Sequence, residues 1–213
     1  MTLYCATKNP GKVREFRMAA EHWGYPEIAI EILPGLSGIA APEEHGATFE
    51  DNARDKALYY SRYALGTVFA DDSGLEVDAL GGAPGVYSAR FAGDDAANNA
   101  LLVSKLKGVQ NRTARFVCVI GLAEQGRLLG IFRGTAEGRI VDEARGQNGF
   151  GYDPHFFHEP FGCTFGEASA EQKMYVSHRG QALHAMLEFV ARVPVAAPGD
   201  SDVSSLWPKS DAK

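Results

Sequence analysis

An apolar run over residues 2–7 breaks at Thr7-Lys8-Asn9-Pro10-Gly11-Lys12 and gives way at once to helical spacing. Val13, Phe16, Ala20 and Trp23 then fall on one helical face. This strand–turn–helix opening, with the same alternation of periods downstream, is what most narrows the fold. A second helix is expected to start near Thr48, where Phe49, Ala53, Ala57 and Tyr60 share a face and Thr48 with Asp51 has the form of a capping pair. Residues 67–70 read as a strand that stops at Asp71-Asp72-Ser73-Gly74, and residues 95–107 read as helix. Residues 114–123 and 127–134 read as paired strands turning at Glu124-Gln125-Gly126. An aromatic strand-like run follows residue 154, and residues 179–192 form a last amphipathic helix. Strands interleaved with helices predict an α/β protein. Its 213 residues, 45% of them apolar, suffice for one core or for two small lobes around a cleft. Residues 1–193 read as one domain and 194–213, rich in Pro, Ser and Asp, as a flexible tail.

Charge and cysteine usage exclude several function classes. Lys and Arg total 21 against 27 Asp and Glu, a net charge of −6, which argues against a broad nucleic-acid or anionic-membrane surface. A pocket for an anionic small molecule stays open, because a pocket is charged locally. Cys5, Cys118 and Cys163 are three, widely spaced and without a CxxC pair, so they fit a reducing compartment and form neither a disulfide framework nor a zinc site. No secretory signal is visible and no apolar run approaches the ~20 residues of a membrane helix. The expectation is a cytoplasmic protein.

Five segments concentrate the chemistry. A strand-to-helix turn aims backbone N–H groups and the helix dipole at an anion, and Lys8 and Lys12 add cations, although the turn lacks Walker spacing and a plain solvated turn explains it about equally well. Asp71 and Asp72 adjoin apolar residues, where carboxylates need partners. Alternation sends them to different faces, so one can face a site while the other orients lysines or backbone groups. An ordinary Asp-Ser-Gly turn explains the Ser and Gly but not two acids. Ser177-His178-Arg179-Gly180 opens the last helix with Lys173 four residues earlier, either as an N-cap with surface charges or as a grip for an anion or a base carbonyl. Phe150-Gly151-Tyr152-Asp153 offers an aromatic face for a base or for packing. Glu43-Glu44 precede the second helix, on which Asn52 and Lys56 lie one turn apart. His155 and His158, three apart in an extended segment, face opposite ways and make no metal pair.

These segments occur in the order found in the Ham1 family of inosine/xanthosine triphosphate pyrophosphatases, which the chain resembles over most of residues 3–190. The resemblance runs through residues 6–12, 48–53 with Lys56, 70–75, 80–90, 149–154 and 177–183. It implies a long curved mixed β-sheet flanked by helices, with two lobes and a central substrate cleft, in a homodimer that uses Mg²⁺. The implied reaction converts ITP, dITP or XTP to the monophosphate and pyrophosphate, cleansing the nucleotide pool. By the same likeness Thr7, Lys8, Asn9, Pro10, Gly11 and Lys12 would hold the triphosphate, and Glu43 and Asp72 the metal. Asp72 would also accept the proton of the attacking water, while Asp71 supports the metal shell or orients a lysine. Ser73 would touch the substrate, and Lys56 and Lys173 would neutralise phosphate. Phe150, Gly151, Tyr152 and Asp153 would line the base pocket, and His178 and Arg179 would read the oxo edge of the base. Met174 and the turn at 158–162 depart from the family pattern and bear on base preference. Two rivals are a Maf-like pyrophosphatase of the same fold, whose Ser-x-Ser-Pro-Arg-type loop is absent here, and a catalytically silent nucleotide sensor.

Overall fold

The computed structural model describes residues 1–192, so the expected tail lies outside the described residues. Seven strands form one open mixed sheet: β1 (Thr2–Cys5), β2 (Ala29–Ile32), β3 (Val68–Val77), β4 (Thr113–Glu124), β5 (Arg127–Ile140), β6 (Phe156–His158) and β7 (Cys163–Thr164). Their spatial order is β2-β1-β3-β4-β5-β6-β7. β1 pairs in parallel with β2 and β3, and every later pair is antiparallel. The helices are α1 (Pro10–His22), α2 (Phe49–Ser61), α3 (Asp95–Lys105), α4 (Ala170–Val176) and α5 (His178–Arg192). Among the described residues no helix is long and apolar enough to cross a membrane.

Local chemistry sets the boundaries. Asn9 caps α1 by accepting from the Gly11 and Lys12 amides at 2.8 and 3.2 Å, with Pro10 in the first turn where its missing N–H costs nothing. Thr48 caps α2, its hydroxyl accepting from the Asp51 amide at 3.1 Å and donating to the Asp51 carboxylate at 2.7 Å. The β4–β5 hairpin turns through Gln125 and Gly126 at φ 48° and 79°, the left-handed pair that a two-residue connection demands.

Two expected boundaries are corrected, and one helix is added. β3 does not stop at Asp71 but carries Asp71-Asp72-Ser73-Gly74 within a ladder that pairs Asp72 with Val119 and runs on to Val77. The acids stay in the sheet because both are partnered by side chains from the flanking helices, as described below. β5 extends to Ile140 rather than 134, since Ala136 and Ile140 bury in a core of their own. α4 is an additional helix, closed by a capping box in which Ser169 and Gln172 bond reciprocally. That Ser-x-x-Gln signal is present in the sequence.

Two main cores share the long strands. One gathers Leu3, Phe16, Phe69, Ile120 and Leu187 under α1 and α5; the other gathers Leu75, Leu102, Phe116, Ile140, Phe156 and Phe165. Along β3, Phe69 belongs to the first and Leu75 to the second, so the polar segment 71–74 lies at their junction. Met174 packs into the first core.

Candidate active site

Strand alternation sends the adjacent acids to different partners. Asp71 accepts from Lys12 Nζ at 2.7 Å and from the Ser73 hydroxyl at 3.1 Å, with Arg179 3.7 Å away. Asp72 meets residues of α2, accepting from Lys56 Nζ at 2.8 Å and Asn52 Nδ2 at 3.1 Å. Burial pushes the Asp71 carboxyl up, but Lys12, Arg179 and Lys56 outweigh it and bring it down to about 2. For Asp72 burial wins over Lys56 and Asn52, and its carboxyl is raised. One acid is therefore locked in the ionised form, and the other is the better proton acceptor.

Lys56 also donates to Glu44 at 2.9 Å, and Arg90 donates to the same carboxylate at 2.9 Å. Glu43 stands apart: its side chain is 83% exposed and bonds His45 at 2.7 Å. The structure thus brings Glu44, rather than Glu43, to the Lys56–Asp72 pair. Asn52 ties this acidic segment down by accepting from the Gly46 amide at 2.9 Å. A Cβ on Gly46 would come within 2.7 Å of Asp51 Cβ, so only glycine permits this approach. Among the described residues no group of three or more His, Cys, Asp or Glu is assembled as a metal cage. Carboxylate oxygens of Asp72 and Glu44 do converge on one positive charge, the Lys56 ammonium. Such hard oxygen donors suit Mg²⁺, which commonly binds one or two carboxylates and takes its remaining ligands from water and phosphate.

The N-terminal half of α1 and the start of α5 meet beside an aromatic pocket. Ser177 caps α5, its hydroxyl accepting from the Gly180 amide at 3.0 Å. The first turn buries His178 and Arg179 rather than exposing them. Arg179 donates to Glu15 at 2.6 Å and to the Ser73 hydroxyl at 2.8 Å. Lys173 donates to Asp153 at 2.6 Å and to Glu15 at 3.3 Å. Burial, then Arg179, Lys173 and Lys12, drive His178 well below the usual histidine range, so its ring is neutral and lies stacked 4.7 Å from Phe116. His178 Nδ1 and Arg179 Nε are buried without a hydrogen-bond partner. The Phe150 ring packs beneath Lys173 and Arg179 at 5.2 and 5.5 Å. Tyr152 is chiefly a core residue whose hydroxyl donates to Ser88 O at 2.8 Å. Asp153, raised by burial against the pull of Lys173, also accepts from the Phe150 amide at 2.9 Å.

Two cavities result. The aromatic one, about 130 Å³, is lined by Asn9, Lys12, Ser73, Phe150, Gly151, Tyr152, Asp153, Lys173, His178 and Arg179. The cationic one, about 250 Å³, is lined by Thr7, Lys8, Lys12, Glu44, Lys56 and Asp71. Lys12 borders both. Nearly every residue singled out from the sequence lines these cavities or contacts their walls; Glu43 does not. Sequence reasoning overlooked Glu15, although Lys12 and Glu15 are three apart on one helix and so share a face. His155 bonds Val141 O at 2.9 Å and His158 packs on Phe161 and Phe165, so the two histidines stay separate.

Comparisons with known proteins agree in one direction. A profile of the Ham1 family matches residues 3–189. A dITP/XTP pyrophosphatase of Desulforamulus reducens is 48% identical over 198 residues, covering 91% of this chain and 97% of that protein. One from Acidobacterium capsulatum is 47% identical over 208 residues, covering 91% and 98%. The structure of the Staphylococcus aureus Ham1 protein superposes with a TM-score of 0.78 at 38% identity, covering 90% of this chain and 98% of that one. A Ham1 protein structure from Coxiella burnetii gives a TM-score of 0.80 at 35% identity, covering 91% and 100%.

Proposed function

The chain belongs to the Ham1 family, and from that premise we propose that it is a nucleoside triphosphate pyrophosphatase hydrolysing dITP, ITP and XTP to the monophosphate and pyrophosphate. The observation that carries this reading is the junction at Lys12, where an aromatic pocket sized for a base adjoins a cavity ringed by Lys8, Lys12 and Lys56 with Asp72 behind Lys56. A base in the first cavity places its triphosphate in the second.

Asp72 and Glu43 would hold Mg²⁺. Glu44 is already committed to Lys56 and Arg90 and pins the segment, whereas Glu43 is bound only to an exposed His45 and is free to turn. The metal supplies a hard positive charge that lowers the repulsion between phosphate and water. The raised carboxylate of Asp72 takes the proton as water adds to the α phosphorus. Lys8, Lys12 and Lys56 hold the charge that grows on the departing pyrophosphate, and the permanently ionised Asp71 fixes Lys12. Lys173, held between Asp153 and Glu15, adds positive charge at the base end of the phosphates. In the base pocket the unpartnered His178 Nδ1 and Arg179 Nε would face a 6-oxo group, whereas the 6-amino group of adenine would leave the Nε donor without an acceptor. The family's usual homodimer and a cytoplasmic site of action complete the reading; the free, buried Cys5 and Cys118 suit a reducing compartment.

The test is a pyrophosphate-release panel over ITP, dITP, XTP, ATP and GTP, with and without Mg²⁺. Release from the first three that requires the metal, with ATP and GTP much slower, is expected. Orthophosphate as the first product would overturn α–β cleavage.

A further inference from the structure

A third cavity, a groove of about 650 Å³, lies between α1 and the β2 edge of the sheet. It shares Thr7, Lys8 and Leu36 with the cationic cavity, which shares Lys12 with the aromatic one, while the groove and the aromatic pocket share no lining residue. The spatial order is therefore base pocket, phosphate cavity, groove. Val13, Met18 and Leu33 give the groove an aliphatic floor, and Arg14 and Arg17 stand on its rim near one turn apart on the exposed face of α1, with Glu21 one turn beyond Arg17 at the end of the helix. Among the described residues neither arginine forms an ion pair or a hydrogen bond. A phosphate chain that outgrows its cavity past Lys8 enters the groove that these two guanidinium groups line.

We propose that this groove receives the distal half of a dinucleoside polyphosphate, so that the chain also cleaves nucleotides extended beyond the γ phosphate. The inference rests on the proposed pyrophosphatase reading and adds a substrate class to it. In an inosine–adenosine tetraphosphate, the inosine would occupy the base pocket and the next three phosphates the Lys8–Lys12–Lys56 cavity. The fourth phosphate meets Arg14 and Arg17, and the adenosine lies on the aliphatic floor, where a guanidinium can also cover a base. The bond broken is unchanged. The oxygen of water joins the α phosphorus, its proton passes to Asp72, and the α–β bridging oxygen leaves with the β phosphate. The products are IMP and ATP in place of IMP and pyrophosphate.

The experiment measures ATP release from P1-inosine-P4-adenosine tetraphosphate by luciferase, beside pyrophosphate release from ITP, for the full chain and its R14A/R17A variant. The expected result is ATP release by the unaltered chain and a loss of about tenfold in kcat/KM for the tetraphosphate in the variant, carried by KM, with ITP turnover within about twofold. Three results overturn the inference: ITP cleaved with no ATP released, equal losses on both substrates, or a changed molar mass of the variant by light scattering, which would assign the groove to contact between copies. If ITP itself is not cleaved, the pyrophosphatase reading has failed, and this one falls with it.

Discussion

Replacing Asp71 by Asn removes the negative charge that Lys12 of α1 and Arg179 of α5 face directly, while the side chain keeps its shape. The folded carboxyl sits at about 2, below the unfolded value of about 3.9, so its stabilisation is fully present above that unfolded value and is lost as pH falls toward 2. It amounts to about 2–3 kcal/mol at neutral pH. Urea denaturation should therefore show Asp71→Asn less stable at pH 7, with the gap to the unaltered chain narrowing below pH 4. Asp72→Asn tests the neighbouring residue differently. Loss of the proton acceptor should cut kcat about a thousandfold or more while circular dichroism and cooperative unfolding persist. Near-normal kcat would remove Asp72 from that role. Arg179→Ala should collapse the ratio of ITP to ATP turnover more than it changes the Mg²⁺ requirement; an unchanged ratio would show that the guanidinium does not read the base.

At the scale of elements, the approach of α5 to β5 decides where His178 and Arg179 stand. Gly134 on β5 lies beneath the first turn of α5: a Cβ there would run into His178 O and come within 2.7 Å of the Ala182 amide. Gly134→Ala should push that turn outward, costing about 3 kcal/mol by overpacking and lowering ITP turnover at least tenfold, as chemical denaturation and kinetics would register. The same contact marks where the sequence stops being legible. Residues 177–180 could be read as a helix start with a cationic grip, because capping and charge are local. That glycine spaces the grip from a strand more than forty residues earlier is a packing fact with no local signature. β3 illustrates the reverse error. Two adjacent acids read as a strand end because the sequence shows the cost of burying them and not the partners, Lys12, Asn52, Lys56 and Arg179, that the fold brings from three helices. Glu15 was hidden for a related reason: its partners, Lys173 and Arg179, lie more than 150 residues away.

For the whole molecule, the acid excess and the cationic site coexist because positive side chains scattered from Lys8 to Arg179 converge, while much of the negative charge stays on the surface. The five ordered motifs made the family readable, and the interleaved strands and helices the α/β class; composition allowed two lobes by size alone, and only the family resemblance implied them. Light scattering should give twice the chain mass, as the expected homodimer requires. Removing residues 194–213, which include no candidate site residue, should leave ITP kcat within about twofold.

Both cores are threaded on the same unbroken strands. β3, β4 and β5 each contribute side chains to, or pack against, one core near one end and the other core near the other end, and the reactive segment rides on the stretch between. Hinged enzymes close by turning about a few loop residues, but no loop interrupts these three strands at that junction. Any closing of the two halves must instead be a shared flexure of a hydrogen-bonded ribbon, like the bending of a leaf spring. Such a flexure would act directly on the stretch of β3 that carries Asp72, because that stretch is the one between the two cores.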